Sequence, residues 1–457
     1  MEKLSLPVQG ERPPRKSSSP SPSSFVNTHL SLTKVAVFLL AASLLGFNRL
    51  KPTVLSAFSS TPAFAELSGY CSHIPPIPAE EFLERQQRLV DTLVSLNASA
   101  YIAEPGPSAH YYANLSSWDL TERPLLLIIS PDASLRPNLT ILTPSFEESR
   151  VRLMTIPSRD PASYATWREE VNPYVVAVGA IPASATKGPV FVDGEMRTFV
   201  LDGLSKAAPL TPVLAAPVEV QRLRQRKSHR ELEIMKCANE VTLLAVRAVR
   251  QKMYIGITQS KTSALLELAL ATAGLSSGDG LVLFGAIAAR PHGGGGDAVL
   301  GANDLVLIDC GGTLHNYWSD LTRTFALPAT ILTERQLEIW YAVRDAQAAA
   351  LEAAKNGSYT RAPDQAARVI LKPNGWEKYF THRLGHGIGL QMHESPYLRG
   401  GSDDIILTGH TFSDEPGVYI PGEIGVRLED SFYIDESGSG VYLTERVGGQ
   451  AVTPWQP

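Results

Sequence analysis

Buried acidic side chains are costly to gather. The C-terminal third of this 457-residue chain carries Asp309, Asp320, Glu415 and Glu429, together with His386, each inside a short and distinctive local motif. Two unit charges about 4 Å apart repel by roughly 4 kcal/mol at an effective dielectric near 20. A fold that brought these carboxylates into one cavity would therefore raise their pKa values or push them apart unless cations joined them. Two divalent cations carry as much positive charge as the carboxylates carry negative, and the imidazole adds a neutral donor. Such a set argues for a dinuclear hydrolase.

The motifs have structure of their own. Leu305 to Ile308 is an apolar run leading into Asp309, Cys310, Gly311 and Gly312, which predicts a buried strand with its carboxylate at the exposed end. Tyr317 to Phe325, containing Asp320, reads as the returning strand. A glycine-containing turn between the two predicts a hairpin that brings Asp309 and Asp320 together. His382-Arg383-Leu384-Gly385-His386-Gly387 follows, with His393-Glu394 soon after, and Asp414-Glu415-Pro416-Gly417 precedes Gly425-Val426-Arg427-Leu428-Glu429. Taken singly, each acid is more often a solvated charge or a turn former, and a lone histidine beside glycines is more often a loop residue. Their joint occurrence in this order and context is a far rarer coincidence.

Together these motifs resemble the pita-bread metallopeptidases, the family of methionine aminopeptidase, aminopeptidase P, prolidase and creatinase, over roughly residues 216–450. The resemblance implies an α/β (α+β) chain, with a pita-bread catalytic domain over residues 216–457 preceded by a creatinase-like N-terminal α/β domain over 66–215. Methionine aminopeptidase lacks such an N-terminal domain, which counts against that branch. By resemblance, Asp309 ligates one metal, Asp320 and Glu429 bridge both, and His386 and Glu415 complete the other. Coordination lowers the pKa of water from 15.7 toward about 7, so a metal-bridging hydroxide is the expected nucleophile, with Glu415 relaying its proton. His292 and His393 match positions that line the substrate pocket and stabilise the tetrahedral intermediate in aminopeptidase P and prolidase. His382 and Arg427 also have counterparts there, balanced between substrate contact and a supporting hydrogen bond or salt bridge. Oxygen-rich ligation with one imidazole favours Mn²⁺ and also suits Co²⁺ or Zn²⁺.

The leading expectation is an exopeptidase cleaving Xaa-Pro bonds, as aminopeptidase or dipeptidase. Two alternatives stand beside it: a hydrolase of a small non-peptide amide or amidine, like creatinase or ectoine hydrolase, and a non-catalytic peptide-binding module, against which the complete ligand set argues. Relatives with the N-terminal domain are commonly dimers, so a homodimer is an open expectation. The net charge of −5, without basic runs, gives no footprint for nucleic acid. Gly293 to Gly296, before Asp297, lacks the Lys-Ser/Thr ending of a phosphate loop and reads as a lid or turn beside the pocket.

Residues 1–65 differ in character. Residues 11–24 are too poor in apolar side chains to pack and read as a disordered tail. Val35 to Phe47 is an uncharged apolar stretch of signal-peptide length, with Ala63-Phe64-Ala65 as a candidate cleavage site. Uncleaved, it would be a short signal anchor and the only tie to a membrane. With N-x-S/T sequons at Asn97, Asn114, Asn138 and Asn356, the expectation is a secretory-pathway glycoprotein, secreted or single-pass anchored with its catalytic domain outside the cytosol. Cys71, Cys237 and Cys310 allow at most one disulfide, and Cys310 should face away from Asp309 as a buried apolar residue. Phe82, Leu89, Leu93 and Leu96 recur at helical spacing, while Leu125 to Ile129, Tyr174 to Val178 and Val190 to Val192 read as strands. Capping boxes at Ser228/Glu231 and Thr333/Gln336 open two further helices.

Overall fold

Short apolar runs build a six-stranded sheet from β1 (Ala100–Ala103), β2 (Leu126–Pro131), β3 (Pro137–Pro144), β4 (Ser163–Trp167), β5 (Val190–Val192) and β6 (Val213–Ala215), in the order β4-β3-β2-β1-β5-β6. The computed structural model describes residues 63–116, 118–183 and 187–457. Helix α1 (Ala79–Ser95) buries Phe82, Leu89 and Leu93, as their spacing predicts, and α2 (Pro107–Ala113) follows β1. The run Tyr174 to Val178 is not a strand. It lies in helix α3 (Pro173–Gly179), where Pro173 presets the first turn and the Asn172 side chain accepts from the backbone N–H of Tyr174. An apolar run this short fits either period, so the cap decides it.

The second sheet holds the acidic motifs. Its strands are β7 (Ser276–Phe284), β8 (Val306–Leu314), β9 (Tyr317–Phe325), β10 (Gly385–Gly387), β11 (Glu394–Leu398), β12 (Thr411–Asp414), β15 (Glu429–Ile434) and β16 (Gly440–Tyr442). A separate ribbon pairs β13 (Gly417–Ile420) with β14 (Ile424–Arg427). The main sheet runs β11-β10-β12-β15-β9-β8-β7, with β16 beside β15. Both capping boxes are present, opening α4 (His229–Lys252) and α6 (Glu334–Ala353); α5 (Gln259–Thr272) and α7 (Arg361–Leu371) complete the helical layer. Val306, Ile308 and Cys310 of β8 share one core with α4 and α5, so strand alternation turns Asp309 to the other face. Trp340 and Val343 of α6 pack with Phe412 of β12 and Phe432 of β15.

The β8–β9 hairpin pairs Asp309 with Thr322 and Gly311 with Asp320. Its turn differs from the expected one. His315 and Asn316 make the connection, with φ of 49° and 68°, the left-handed pair that a two-residue hairpin turn requires. Gly311 lies inside the strand instead, where a Cβ would come within 2.2 Å of the Ser319 carbonyl oxygen.

Both sheets belong to one compact unit, Thr61–Pro457, and a buried arginine ties them together. Arg85 on α1 has a fully buried side chain; its Nη2 lies 2.7 Å from Glu81 Oε1 and 3.4 Å from Glu231 Oε1. It also donates to the Tyr317 hydroxyl at 3.2 Å and, through Nη1, to the Tyr111 carbonyl at 3.2 Å. Ser228 donates to Glu81 at 2.7 Å, and the Tyr317 hydroxyl donates to Glu231 at 2.9 Å. Apolar packing continues across the junction, from Leu89, Leu93 and Tyr111 to Ile234, Met235 and Tyr317.

The expectation of a secreted or membrane-anchored protein is overturned. Among the described residues no helix is long and apolar enough to cross a membrane, and the stretch Val35 to Phe47, shorter than the roughly 20 residues a span needs, lies outside the described residues. The proposed cleavage site fails on packing grounds. Phe64 is 1% exposed and sits in the core shared by α4, α5 and β8, with Lys252 Nζ 4.9 Å from its ring, so a cut after Ala65 would remove a core side chain. Beyond it, Cys71 is disulfide-bonded to Cys237 of α4, while Cys310 is free and buried.

Removing one partner from a buried ionic network leaves uncompensated charge, so Arg85→Met is expected to lower the free energy of unfolding by about 3–5 kcal/mol in denaturant titrations. Phe64→Ala should cost about 3–5 kcal/mol in the same measurement. An unchanged midpoint for Phe64→Ala would restore the cleavage-site reading.

Candidate metal centre

Five neighbouring strands each deliver one side chain to a common row. Asp309 lies on β8, Asp320 on β9, Glu429 at the start of β15, His386 on β10, and Glu415 directly after β12. Adjacent strands lie about 4.7–4.9 Å apart, which sets the spacing of the row. Glycine makes the crowding around His386 feasible. A Cβ at Gly385 would meet the Ser413 carbonyl oxygen at 2.0 Å, and one at Gly387 the Glu394 carbonyl oxygen at 2.6 Å. Between them the backbone N–H of His386 donates to Ser413 Oγ at 3.0 Å.

All five residues named from the sequence meet. Asp309, Asp320 and Glu429 form one group whose candidate ligand atoms lie within 4.8 Å of one another; His386, Glu415 and Glu429 form a second, and Asp320, His386 and His393 a third. His386 Nε2 is 3.4 Å from Glu415 Oε1 and 3.6 Å from Asp320 Oδ2.

The electrostatics of this row fit cations. Burial, then repulsion from Asp309 and Glu415, holds the Asp320 carboxyl well above its ordinary range. Glu429 is raised in the same way by burial, then by Asp320, Glu415 and Asp309. Glu415 is pushed up to about 7, chiefly by burial, with Arg427 opposing and Asp309 adding. Burial, then His393, lowers His386 to about 3, so its ring is neutral at physiological pH. His386 Nδ1 lies 3.0 Å from the Gly387 carbonyl oxygen, which can only accept, so Nδ1 carries the proton and the Nε2 lone pair faces the carboxylates. Acceptors facing acceptors repel, and a divalent cation among them reverses the sign. Oxygen donors with one neutral imidazole are a donor set that hard divalent metals accept.

Arg427 supplies fixed positive charge beside the row. Its Nη2 contacts Asp309 Oδ2 at 2.5 Å and its Nε donates to Thr322 Oγ1 at 3.1 Å; Thr322 in turn donates to Glu429 Oε2 at 2.7 Å. Nη1 donates to the Tyr419 hydroxyl at 2.9 Å. His382 Nδ1 lies 2.7 Å from the Arg383 carbonyl oxygen and Nε2 2.8 Å from that same hydroxyl. Nδ1 therefore donates, Tyr419 passes its proton toward Nε2, and both ring nitrogens are occupied. Burial lowers His382 to about 4 and pushes Tyr419 up to about 12.

The row opens into a cleft of about 850 Å³ lined by His292, Met392 and His393 among others. The His393 ring stacks edge-on against His386, 4.2 Å between centroids, and burial, then Arg383, lowers its pKa. Gly293 also lines the cleft, and Asp297 beyond the glycine run accepts from the Ser260 backbone and hydroxyl at 2.8 Å each. Arg290, Arg383 and Arg399 line the same cleft; the sequence motifs assign none of them a role, although Arg383 stands within the His382 to Gly387 motif. Tyr419 was also missed, although it stands in the Glu415-Pro416-Gly417-Val418-Tyr419 motif.

Comparison with known proteins agrees with this geometry. The sequence profile of metallopeptidase family M24 matches residues 233–436. An uncharacterized peptidase of Schizosaccharomyces pombe is 35% identical over 93% of this chain and 94% of its own length. An Xaa-Pro dipeptidase of Pyrococcus horikoshii is 33% identical over 54% of this chain and 71% of its own. The crystal structure of dipeptidase PepE from Mycobacterium ulcerans superposes with a TM-score of 0.73 at 28% identity, covering 81% of this chain and 97% of that one. The pita-bread architecture with its N-terminal α/β region is thus established, and the chain is a metallopeptidase belonging to family M24.

Proposed function

We propose that this metallopeptidase is a dinuclear Xaa-Pro dipeptidase. The observation that carries the reading is the buried row of Asp309, Asp320, His386, Glu415 and Glu429 at the floor of a cleft that also presents arginines. Asp309, Asp320 and Glu429 would hold one divalent ion and His386, Glu415 and Glu429 the other; Asp320, His386 and Glu429 each belong to two of the three ligand groups. When bound, the ions supply Lewis acidity toward a water and a peptide carbonyl. Manganese suits the oxygen-rich set, with cobalt or zinc as alternatives.

The side chains do the remaining work. Glu415 takes the proton of the attacking water and returns it to the departing prolyl nitrogen. His393, neutral at physiological pH, and His292 face the cleft and donate to the developing oxyanion. Arg427 and His382 act on position: through Tyr419 they form one chain, Arg427 to Tyr419 to His382, that holds Asp309 against the repulsion of its neighbours.

Two features favour a dipeptide. The cleft's volume of about 850 Å³ exceeds what a small amide needs, and Arg399 is exposed and in no ion pair among the described residues, free to take a substrate's terminal carboxylate. The relatives named as dipeptidases point the same way. A homodimer and a boundary near residue 215 between the N-terminal and catalytic regions belong to this reading as well.

A panel of Xaa-Pro dipeptides, Xaa-Pro amides, longer Xaa-Pro peptides and small amides, run on metal-stripped enzyme with single metals added back, tests the proposal. Dipeptides should be turned over fastest and manganese should restore most activity; preference for small amides would refute it. Asp320→Ala is expected to abolish turnover and lower the metal bound per chain, and normal activity in that variant would remove the ligand assignment. Arg399→Ala should raise KM for dipeptides about tenfold and leave that for the C-terminal amides unchanged.

A further inference from the structure

A second cavity, of about 250 Å³, lies between the six-stranded sheet and the loop joining β10 to β11. Its polar wall is almost self-satisfied. The Tyr101 hydroxyl donates to Asp193 Oδ2 at 2.6 Å, the Glu195 N–H to Asp193 Oδ1 at 2.9 Å, and Gln391 Nε2 to Glu195 Oε1 at 2.5 Å. Arg224 Nη2 donates to Gln391 Oε1.

Two atoms are left over. Arg224 Nη1 and Glu394 Oε2 are buried without a hydrogen-bond partner, and both residues line this cavity. Arg224 Nη2 stands 3.9 Å from Glu394 Oε2, too far for a hydrogen bond. Glu394 is 6% exposed, and its other oxygen is taken by Lys227 Nζ at 2.5 Å. An unsatisfied buried donor or acceptor costs about 1–3 kcal/mol, and more when charged. A cationic donor and an anionic acceptor left unpaired in two residues that line one cavity are complementary to a molecule that offers a carboxylate and an ammonium together. The volume equals roughly eight waters at about 30 Å³ each, which suits a free amino acid of a few carbons.

We propose that this chamber is a separate binding site for a small zwitterionic amino acid, its carboxylate on Arg224 Nη1 and its ammonium on Glu394 Oε2. The site uses none of the five residues of the metal row and stands whether or not the substrate is an Xaa-Pro dipeptide. It shares one wall with the cleft, because His393 lines both spaces.

Calorimetric titration of the metal-loaded full chain with glycine, acetate and methylamine tests the proposal. Glycine should bind saturably at one per chain, and acetate and methylamine each at least tenfold more weakly. Arg224→Lys, which keeps the charge but loses the free guanidinium nitrogen, and Ser108→Phe, which fills the cavity from α2, should each weaken glycine at least tenfold while dipeptide hydrolysis persists. No glycine binding, equal binding of acetate, or undiminished binding in both variants would overturn it. A crystal of the unaltered protein soaked in glycine gives an answer independent of how the variants fold: density in the chamber against Arg224 and Glu394 supports the site, and a chamber without it rejects the site. Loss of dipeptide hydrolysis by the unaltered enzyme with glycine binding intact would count against the proposed substrate alone.

Discussion

Repulsion among buried acceptors is the constraint around which this fold is organised. Carboxylates from adjacent strands face one another and a neutral imidazole lone pair, in a row that burial makes still less favourable to charge. The protein answers with rigid support from behind. Arg323, fully buried, donates to the Glu429 carbonyl at 2.7 Å and to Asp430 Oδ1 at 2.8 Å. Thr444 and Gln347 also donate to Asp430. Glu429 is therefore pinned through its own backbone and its neighbour, and Asp309 through Arg427. Support of this kind fixes the geometry of the array from behind.

Much of that array is legible in the sequence because each residue sits in a contiguous motif whose glycines have a steric reason. The glycines beside His386 exist because Ser413 and Glu394 carbonyls approach within the reach of a Cβ. Both capping boxes were readable for a similar reason, since a box is closed within one turn of helix. Where the reading failed, the deciding interaction was either a local cap or a contact distant in sequence. Tyr174 to Val178 looks like a strand until Asn172 and Pro173 are weighed as a helix start. Gly311 and Gly312 suggest a turn, but the close cross-strand carbonyl of Ser319 calls for glycine within the strand, while His315 and Asn316 turn the chain.

Long-range contacts were invisible in principle. Ala63-Phe64-Ala65 has the small-residue pattern of a cleavage site, and only the core that receives Phe64 shows otherwise. The Cys71–Cys237 pairing spans 166 residues and could not be chosen from three cysteines. The cleft arginines and Tyr419 acquire meaning only once loops converge. His393 and Glu394 are consecutive: His393 lines both the cleft of the metal row and the second cavity, and Glu394 lines only the latter.

Arg85 bears on how such chains diverge. Its partners Glu81 and Tyr111 lie before residue 215, whereas Glu231 and Tyr317 lie after it, and Tyr317 begins the strand that carries Asp320. The N-terminal region is thus not a detachable appendage that can be traded freely between relatives. A chimera that took α1 from one protein and both α4 and β9 from another would deprive that guanidinium of Glu231 and Tyr317, unless this whole cluster of side chains travelled as one inheritance.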